Sequence, residues 1–254
     1  MEATASDPRY GRLRRLNIIA AVFHGASAAV MLALANDFVI PVTGSFMEGP
    51  PGAQATWPAS VIAEPRFGLI TASFLILSAL AHALISMPGI YERYIAALSE
   101  GRAPYRWVEY TISSSVMLVP IAMLTGIMDV AALIAIVGAN MSMIWFGALQ
   151  EYAPPASSSM GWRPFIFGCC AGAVPWLAIA SYLIGSGSNV PGFVYAIYVS
   201  LFVLFNVFAL VMVAHYRNWR RFGDYLNGER AYVVLSFVAK SALAWQVFAG
   251  TLAS

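Results

Sequence analysis

The chain has 254 residues, 60% of them apolar and 10% charged, with a formal net charge of +2. A soluble domain carries roughly 25% charged residues, so this composition excludes a water-soluble globular protein and points to a bilayer as the principal partner. The net charge itself is uninformative, because the asymmetry of the basic residues matters and not their sum, and a basic stripe in such a chain reads as a topology signal rather than a nucleic-acid surface.

The apolar residues gather into segments close to the ~20 residues that a helix needs to cross ~30 Å of hydrocarbon. In chain order they run Leu13 to Asn36, Pro65 to Met87, Tyr105 to Gly126, Met128 to Gln150, Arg163 to Gly185, Pro191 to Tyr216, and Ala231 to Leu252. They are too long and too continuously apolar for barrel strands, so the expected fold is all-α, a seven-transmembrane-helix bundle forming a single domain over residues 1–254. The first segment, with its basic flank and Ala33-Leu34-Ala35, has features of a secretory signal. Its apolar stretch from Leu16 to Ala35 exceeds the ~7–15 residues of a signal core and contains His24, which favours a retained helix.

Between the first two crossings, Asp37 to Glu64 is far longer than an ordinary connection. Phe38 to Phe46 mixes β-branched and aromatic residues, and Gly49-Pro50-Pro51-Gly52 is a turn signal, so a small two-stranded ribbon is expected there, as a lid or as a contact to a second subunit. Pro88 to Ala103 has room for a short surface helix, Asp129 marks a tight turn, and Ala153 to Gly161 is a Pro/Ser connector. Cys169 and Cys170 are adjacent within an apolar helix and read as small packing residues. Gly168 and Gly172 form a GxxxG pair whose use in internal packing is favoured over dimerisation. No metal-ligand spacing, phosphate loop or nucleophile triad is present, so neither a metal site nor an enzyme is expected.

Twelve arginines (9, 12, 14, 15, 93, 102, 106, 163, 217, 220, 221 and 230) fall in tails or loops on one side of the predicted crossings, where they can reach water, against Arg66 alone on the other. The positive-inside rule then places the N-terminus in the cytoplasm and the C-terminus outside.

Lys240 is the single lysine, in the middle of the last apolar segment. An ammonium near the bilayer midplane costs several kcal/mol, so such a residue is paired or is kept for chemistry. Its amine can condense with an aldehyde to a Schiff base, which an arginine cannot do. Of the twelve acidic residues, Glu109 alone lies within a predicted crossing rather than in a tail, loop or helix end. The lysine side chain leans back toward its helix N-terminus and so toward the depth of Glu109, and the two charges are expected to pair. Ser113, Ser114 and Ser115 follow Glu109, and Ser236 precedes Lys240 by one turn. His24, His82 and Asn140 add polar groups inside the bilayer, while Trp176, Tyr198, Phe202, Phe205, Phe237 and Trp245 could wall an elongated apolar ligand.

The sequence Ser236-Phe237-Val238-Ala239-Lys240-Ser241-Ala242-Leu243-Ala244-Trp245-Gln246, together with Arg106-Trp107-Val108-Glu109-Tyr110, resembles heliorhodopsin. The similarity extends over nearly the whole chain, through Leu34-Ala35-Asn36-Asp37-Phe38, Ser113-Ser114-Ser115-Val116-Met117, Val174-Pro175-Trp176, Val190-Pro191-Gly192-Phe193-Val194-Tyr195 and Gly228-Glu229-Arg230-Ala231-Tyr232. The inverted topology reached from the arginines is also a mark of that family. The resemblance implies all-trans retinal on Lys240 as a protonated Schiff base with Glu109 as counterion. It places Ser113, Ser114, Ser115, Met117, Asn140, Trp176, Phe205 and Ser236 at or near the chromophore, with Phe237 in the aromatic wall, and His24 and His82 in a polar cavity nearby. It further implies a homodimer to which the long first loop contributes, and a light signal passed to a cytoplasmic partner that the sequence does not identify.

The main rival is a light-driven ion or proton transporter, or a channel gated by the Lys240/Glu109 pair. A pump needs further protonatable groups along its path, and the position eleven residues beyond Glu109, where pumps of the ordinary microbial type place a donor, is Pro120. Signalling is therefore expected rather than transport.

Overall fold

The computed structural model describes residues 7–53 and 56–252. Its elements are α1 (Pro8–Leu34), β1 (Val42–Ser45), β2 (Ala59–Ala63), α2 (Phe67–Leu84), α3 (Ile90–Ser99), α4 (Pro104–Leu124), α5 (Val130–Tyr152), α6 (Arg163–Ser186), α7 (Gly192–Tyr216) and α8 (Tyr225–Val247). Among the described residues all the helices but α3, seven of them, are long and apolar enough to cross a membrane, so the chain is a multi-pass membrane protein. Asp7, Asp129 and Asp224 accept backbone N–H bonds at the starts of α1, α5 and α8. Proline occupies the first turn of α1, α4 and α6, where its missing N–H costs nothing.

The helix starts differ from the hydropathy reading where a polar turn precedes the apolar run. α1 begins at Pro8 rather than Leu13, and α8 begins at Tyr225 rather than Ala231. Hydropathy locates the hydrocarbon-spanning part, whereas an Asp cap lets the same helix extend into the polar zone. Glu229 and Arg230 are consequently helical residues of α8. At its other end α8 passes into a π-helical turn, Phe248–Leu252. Gly250 is required there because an added Cβ would lie 2.3 Å from the Phe193 ring.

Neighbouring helices pack in the order α1, α2, α4, α5, α6, with α8 closing onto α1 and α2 and α7 lying against α8 and α4. α6 and α7 meet through side chains, Trp176 of α6 lying against Tyr198, Phe202 and Phe205 of α7. Gly168 and Gly172 face Phe146 and Met143 of α5, so this pair serves internal packing. Cys169 and Cys170, by contrast, are exposed on the outer surface of α6 rather than buried as packing residues. In a bilayer that surface faces lipid, which accepts a thiol as readily as a core does.

The ribbon is antiparallel, with Thr43 opposite Val61 and Ser45 opposite Ala59. It is tied to the bundle where the Thr43 N–H donates to Met128 O at 2.8 Å and the Phe67 N–H donates to Phe38 O at 2.9 Å. Gly126, at φ +96°, makes the tight turn that brings the Met128 carbonyl into place. Ile40 and Val42 pack on the core, whereas β2 is exposed along its whole length.

The main apolar core fills the ribbon-side half of the bundle. Met31, Phe67, Phe74, Leu75, Met117, Leu118, Ile121, Ile179, Ile197 and Leu243 are buried almost completely. Among the described residues, no buried charged side chain lies between Lys240 and the ribbon end. The opposite, arginine-rich end is held by polar contacts. Arg9 bonds both Asp7, at 2.8 Å, and Asp224, at 2.5 Å, and so joins the starts of α1 and α8. The Arg9 guanidinium also holds the Asp7 carboxyl below the usual carboxylate range.

Candidate functional site

Lys240 on α8 and Glu109 on α4 meet inside the bundle, with Nζ donating to Oε1 at 2.5 Å. Lys240 is 3% exposed and Glu109 11%. The Glu109 Oε1 accepts a second bond from Ser78 Oγ of α2 at 2.8 Å, and the ammonium sits 5.5 Å from the Tyr110 ring centroid. Tyr110 is fixed by donating to Tyr232 O at 2.9 Å. Two charges held in a low-dielectric bundle with bonds to both are what makes such a pair tolerable.

From this pair a cavity of about 320 Å³ extends between α4, α5, α6, α7 and α8. Lys240, Ser236, Ser113, Ser114 and Tyr110 form its polar end. Met117, Met143, Trp176, Phe202, Phe205, Phe208 and Met212 make most of the apolar wall. Trp176 is the hub of that wall, in edge contact with Tyr198, Phe202 and Phe205 at 5.4–5.7 Å between ring centroids. The cavity reaches the surface between α6 and α7, where lining residues Cys169 and Phe202 are exposed.

Two buried hydroxyls at the polar end lack a partner. Ser113 Oγ lies beside the Glu109 carboxylate and Ser236 Oγ beside Tyr110. Neither reaches hydrogen-bond geometry with any protein atom. Buried polar groups are seldom left unpaired, so their orphaned state points to a guest molecule or water in the cavity. A primary amine at one end of an elongated aromatic slot fits an apolar aldehyde of the size of retinal.

The remaining expected residues fall around this cavity rather than all lining it. Asn140 donates to both Ser114 Oγ and Ser115 Oγ, at 2.8 and 3.0 Å, and Ser115 donates to Thr111 O, so Asn140 and Ser115 stand behind the lining. Phe237 does not wall the slot. It points to the other side of α8, 5.2 Å from the His24 ring and 4.9 Å from that of Phe23, because one residue along a helix rotates the side chain by ~100°. Trp245 is half-exposed against Phe248. His24 and His82 stack with ring centroids 6.0 Å apart, both buried, next to the Lys240/Glu109 pair.

A second buried charge cluster at the arginine-rich end was not anticipated. Arg106, expected in a water-accessible loop, is buried within α4 and forms ion pairs with Glu151 of α5 and Glu229 of α8. Glu151 also accepts from Trp107 Nε1 at 2.7 Å, Tyr225 OH at 2.9 Å and Ala103 N at 2.8 Å. Glu229 accepts from Tyr94 OH of α3 at 2.9 Å. The guanidinium lies over the Tyr232 and Trp107 rings, 4.3 and 4.7 Å from their centroids. Position near a segment end hid these residues from a sequence reading. The signal available was an acid at each of two helix ends facing an arginine at a third.

The comparisons agree with this architecture. The family model described as Heliorhodopsin matches residues 13–252. No curated protein matches the chain. Among solved structures, a light-driven proton pump from Leptosphaeria maculans superposes with a TM-score of 0.65 at 14% identity, covering 93% of this chain and 94% of that one. A light-driven proton pump from Coccomyxa subellipsoidea gives 0.65 at 17%, covering 93% and 95%. The cyanorhodopsin of the cyanobacterium Tolypothrix gives 0.66 at 14%, covering 97% of each chain. At these identities the structural likeness establishes the seven-helix fold.

Proposed function

This chain belongs to the heliorhodopsin family, and on that premise we propose that it is a light sensor carrying all-trans retinal on Lys240 and signalling without pumping ions. Retinal, when bound, supplies visible absorption and a light-driven isomerisation. The observation that carries the reading is the Lys240 amine, 2.5 Å from Glu109, at the closed end of an aromatic slot. Lys240 is the attachment point, and Glu109, steadied by Ser78, is the anion that compensates a positive charge at Nζ. Ser113 and Ser236 offer their free hydroxyls to the same end, while Trp176, Phe205 and Met117 shape the slot. Displacement of the charge at Nζ relative to Glu109 is the event that α8 would transmit to the arginine-rich end.

Signalling is favoured over pumping by the packed ribbon-side half, where among the described residues no buried charged group continues a path from Lys240. The structural neighbours described as proton pumps share the fold, and the buried Glu151 and Glu229 lie on the arginine-rich side only. The arginine distribution supports a cytoplasmic N-terminus, which makes that side the signalling face. The exposed β2 supports the ribbon as a contact between two copies. No part of this reading requires an enzymatic reaction.

Two measurements test it. The purified protein mixed with all-trans retinal should form a visible band, and illuminated vesicles should show no sustained, protonophore-sensitive pH change. Absence of colour would remove the retinal reading, and a steady light-driven pH change would replace the sensor by a pump.

A further inference from the structure

Asn17 lies on α1, about two turns before His24, and is almost completely buried. Its amide has two different ends, and the structure fixes which end faces where. Asn17 Nδ2 donates to Leu13 O at 2.9 Å. A backbone carbonyl can only accept, so the nitrogen end must face Leu13. The oxygen end therefore faces His82, with Oδ1 2.7 Å from Nδ1. An amide oxygen also can only accept, so the proton in that bond belongs to His82 Nδ1. In the neutral ring the other nitrogen, Nε2, is then a bare acceptor. It is buried and has no protein partner.

The surroundings of that bare nitrogen give it a use. His82 sits one helical turn beyond Ser78, whose hydroxyl is bonded to Glu109, so Nε2 belongs to the same buried pocket as the Lys240/Glu109 pair. The groups facing it are His24 of α1, Glu109 of α4 and Lys240 of α8, with Ser78 on its own helix; Ser86 Oγ is turned away, donating to His82 O at 2.8 Å. Were the proton on Nε2 instead, the ring would present a donor to this pocket, next to a lysine that is itself a donor.

We propose that Asn17 is a positioning residue that locks His82 in the Nδ1–H tautomer, so that the ring presents a proton acceptor to the Lys240/Glu109 pocket. The proposal rests on the reading of Lys240 as the retinal site for its functional meaning, while the tautomer itself exists with or without the chromophore. A proton released by a donor in this pocket would be held at His82 Nε2, the N–H bond forming there as the donor's own bond breaks. The ring then becomes an imidazolium whose Nδ1–H is already held by Asn17 Oδ1.

The test is ¹⁵N NMR of histidine-labelled protein in lipid nanodiscs, recorded both without retinal and with it, at a pH where the ring is neutral. Wild type should show a protonated Nδ1 and an unprotonated Nε2 for His82 in both preparations. Asn17→Leu should shift the ratio of Nδ1–H to Nε2–H forms at least roughly fivefold toward Nε2–H, the equivalent of one ordinary hydrogen bond of ~1 kcal/mol. Asn17→Asp, which keeps an acceptor at the same place, should retain the wild-type tautomer. A wild-type Nε2–H signal, or an Asn17→Leu ratio equal to wild type, overturns the proposal. Should Asn17→Leu fail to fold, the wild-type and Asn17→Asp spectra still decide it. Pigment formation is read separately from the visible band, so a colourless protein with the expected tautomer would sink the retinal reading and leave the tautomer lock standing.

Discussion

Lys240 Nζ and Glu109 Oε1 are 2.5 Å apart although 131 positions separate the two residues in the chain. α8 and α4 deliver them to the same depth, the lysine reaching back along α8 toward the arginine-rich end. No other lysine exists in the sequence to substitute for it.

Removal of the amine should abolish covalent pigment. Lys240→Ala leaves no nucleophile, and Lys240→Arg leaves a guanidinium that cannot form an imine. Absorption spectroscopy after addition of all-trans retinal should show no visible band in either variant that survives hydroxylamine in the dark.

Neutralising the partner should change colour rather than attachment. In Glu109→Gln the positive charge at Lys240 loses its compensating carboxylate in a low-dielectric site, and Ser78 is left donating to an amide oxygen. The visible band at neutral pH should give way largely to near-ultraviolet absorption. An unchanged spectrum would mean that another anion neutralises the site.

Arg106→Leu should be strongly destabilising. It leaves Glu151 and Glu229 as uncompensated buried carboxylates, a change worth roughly 3–5 kcal/mol. Replacing all three together, as Arg106→Met, Glu151→Leu and Glu229→Leu, should recover most of the loss. Thermal melting in detergent or nanodiscs separates the cases, and a single variant as stable as wild type would show the cluster to be solvated.

The Arg9 contacts should matter only above acidic pH. The Asp7 carboxyl is lowered by its bonds to Arg9; for Asp224, burial opposes the shift but the Arg9 bond outweighs it, so it too is lowered. Groups with depressed folded values contribute stability that is present above the unfolded value, ~3.9, and is lost as pH falls through the folded one. The melting-temperature difference between wild type and Arg9→Met should therefore be small but measurable at pH 6 and should vanish near pH 2. A difference that persists in acid would assign the effect to packing.

Composition alone determined that this chain crosses a membrane, because nothing but lipid accommodates seven apolar runs of this length. The rarity of charge inside those runs singled out Lys240 and Glu109, since a buried ion is costly enough that even one is informative. What the sequence by itself left undecided is everything that depends on which face of a helix points inward. The arginine count placed Arg106 in a loop and hydropathy left Glu229 outside the last crossing, and only the capped extension of α8 and the packing of α4 against α5 turned them into a buried cluster. Phe237 and Ser236 are neighbours in sequence, yet one meets His24 and the other lines the slot. Asn17 carried no signal until the Leu13 carbonyl fixed its amide and gave His82 its proton. Burial of a residue type follows from transfer energy, which composition records. The direction of a side chain and of each hydrogen bond follows from helix rotation and packing, which only the assembled bundle specifies.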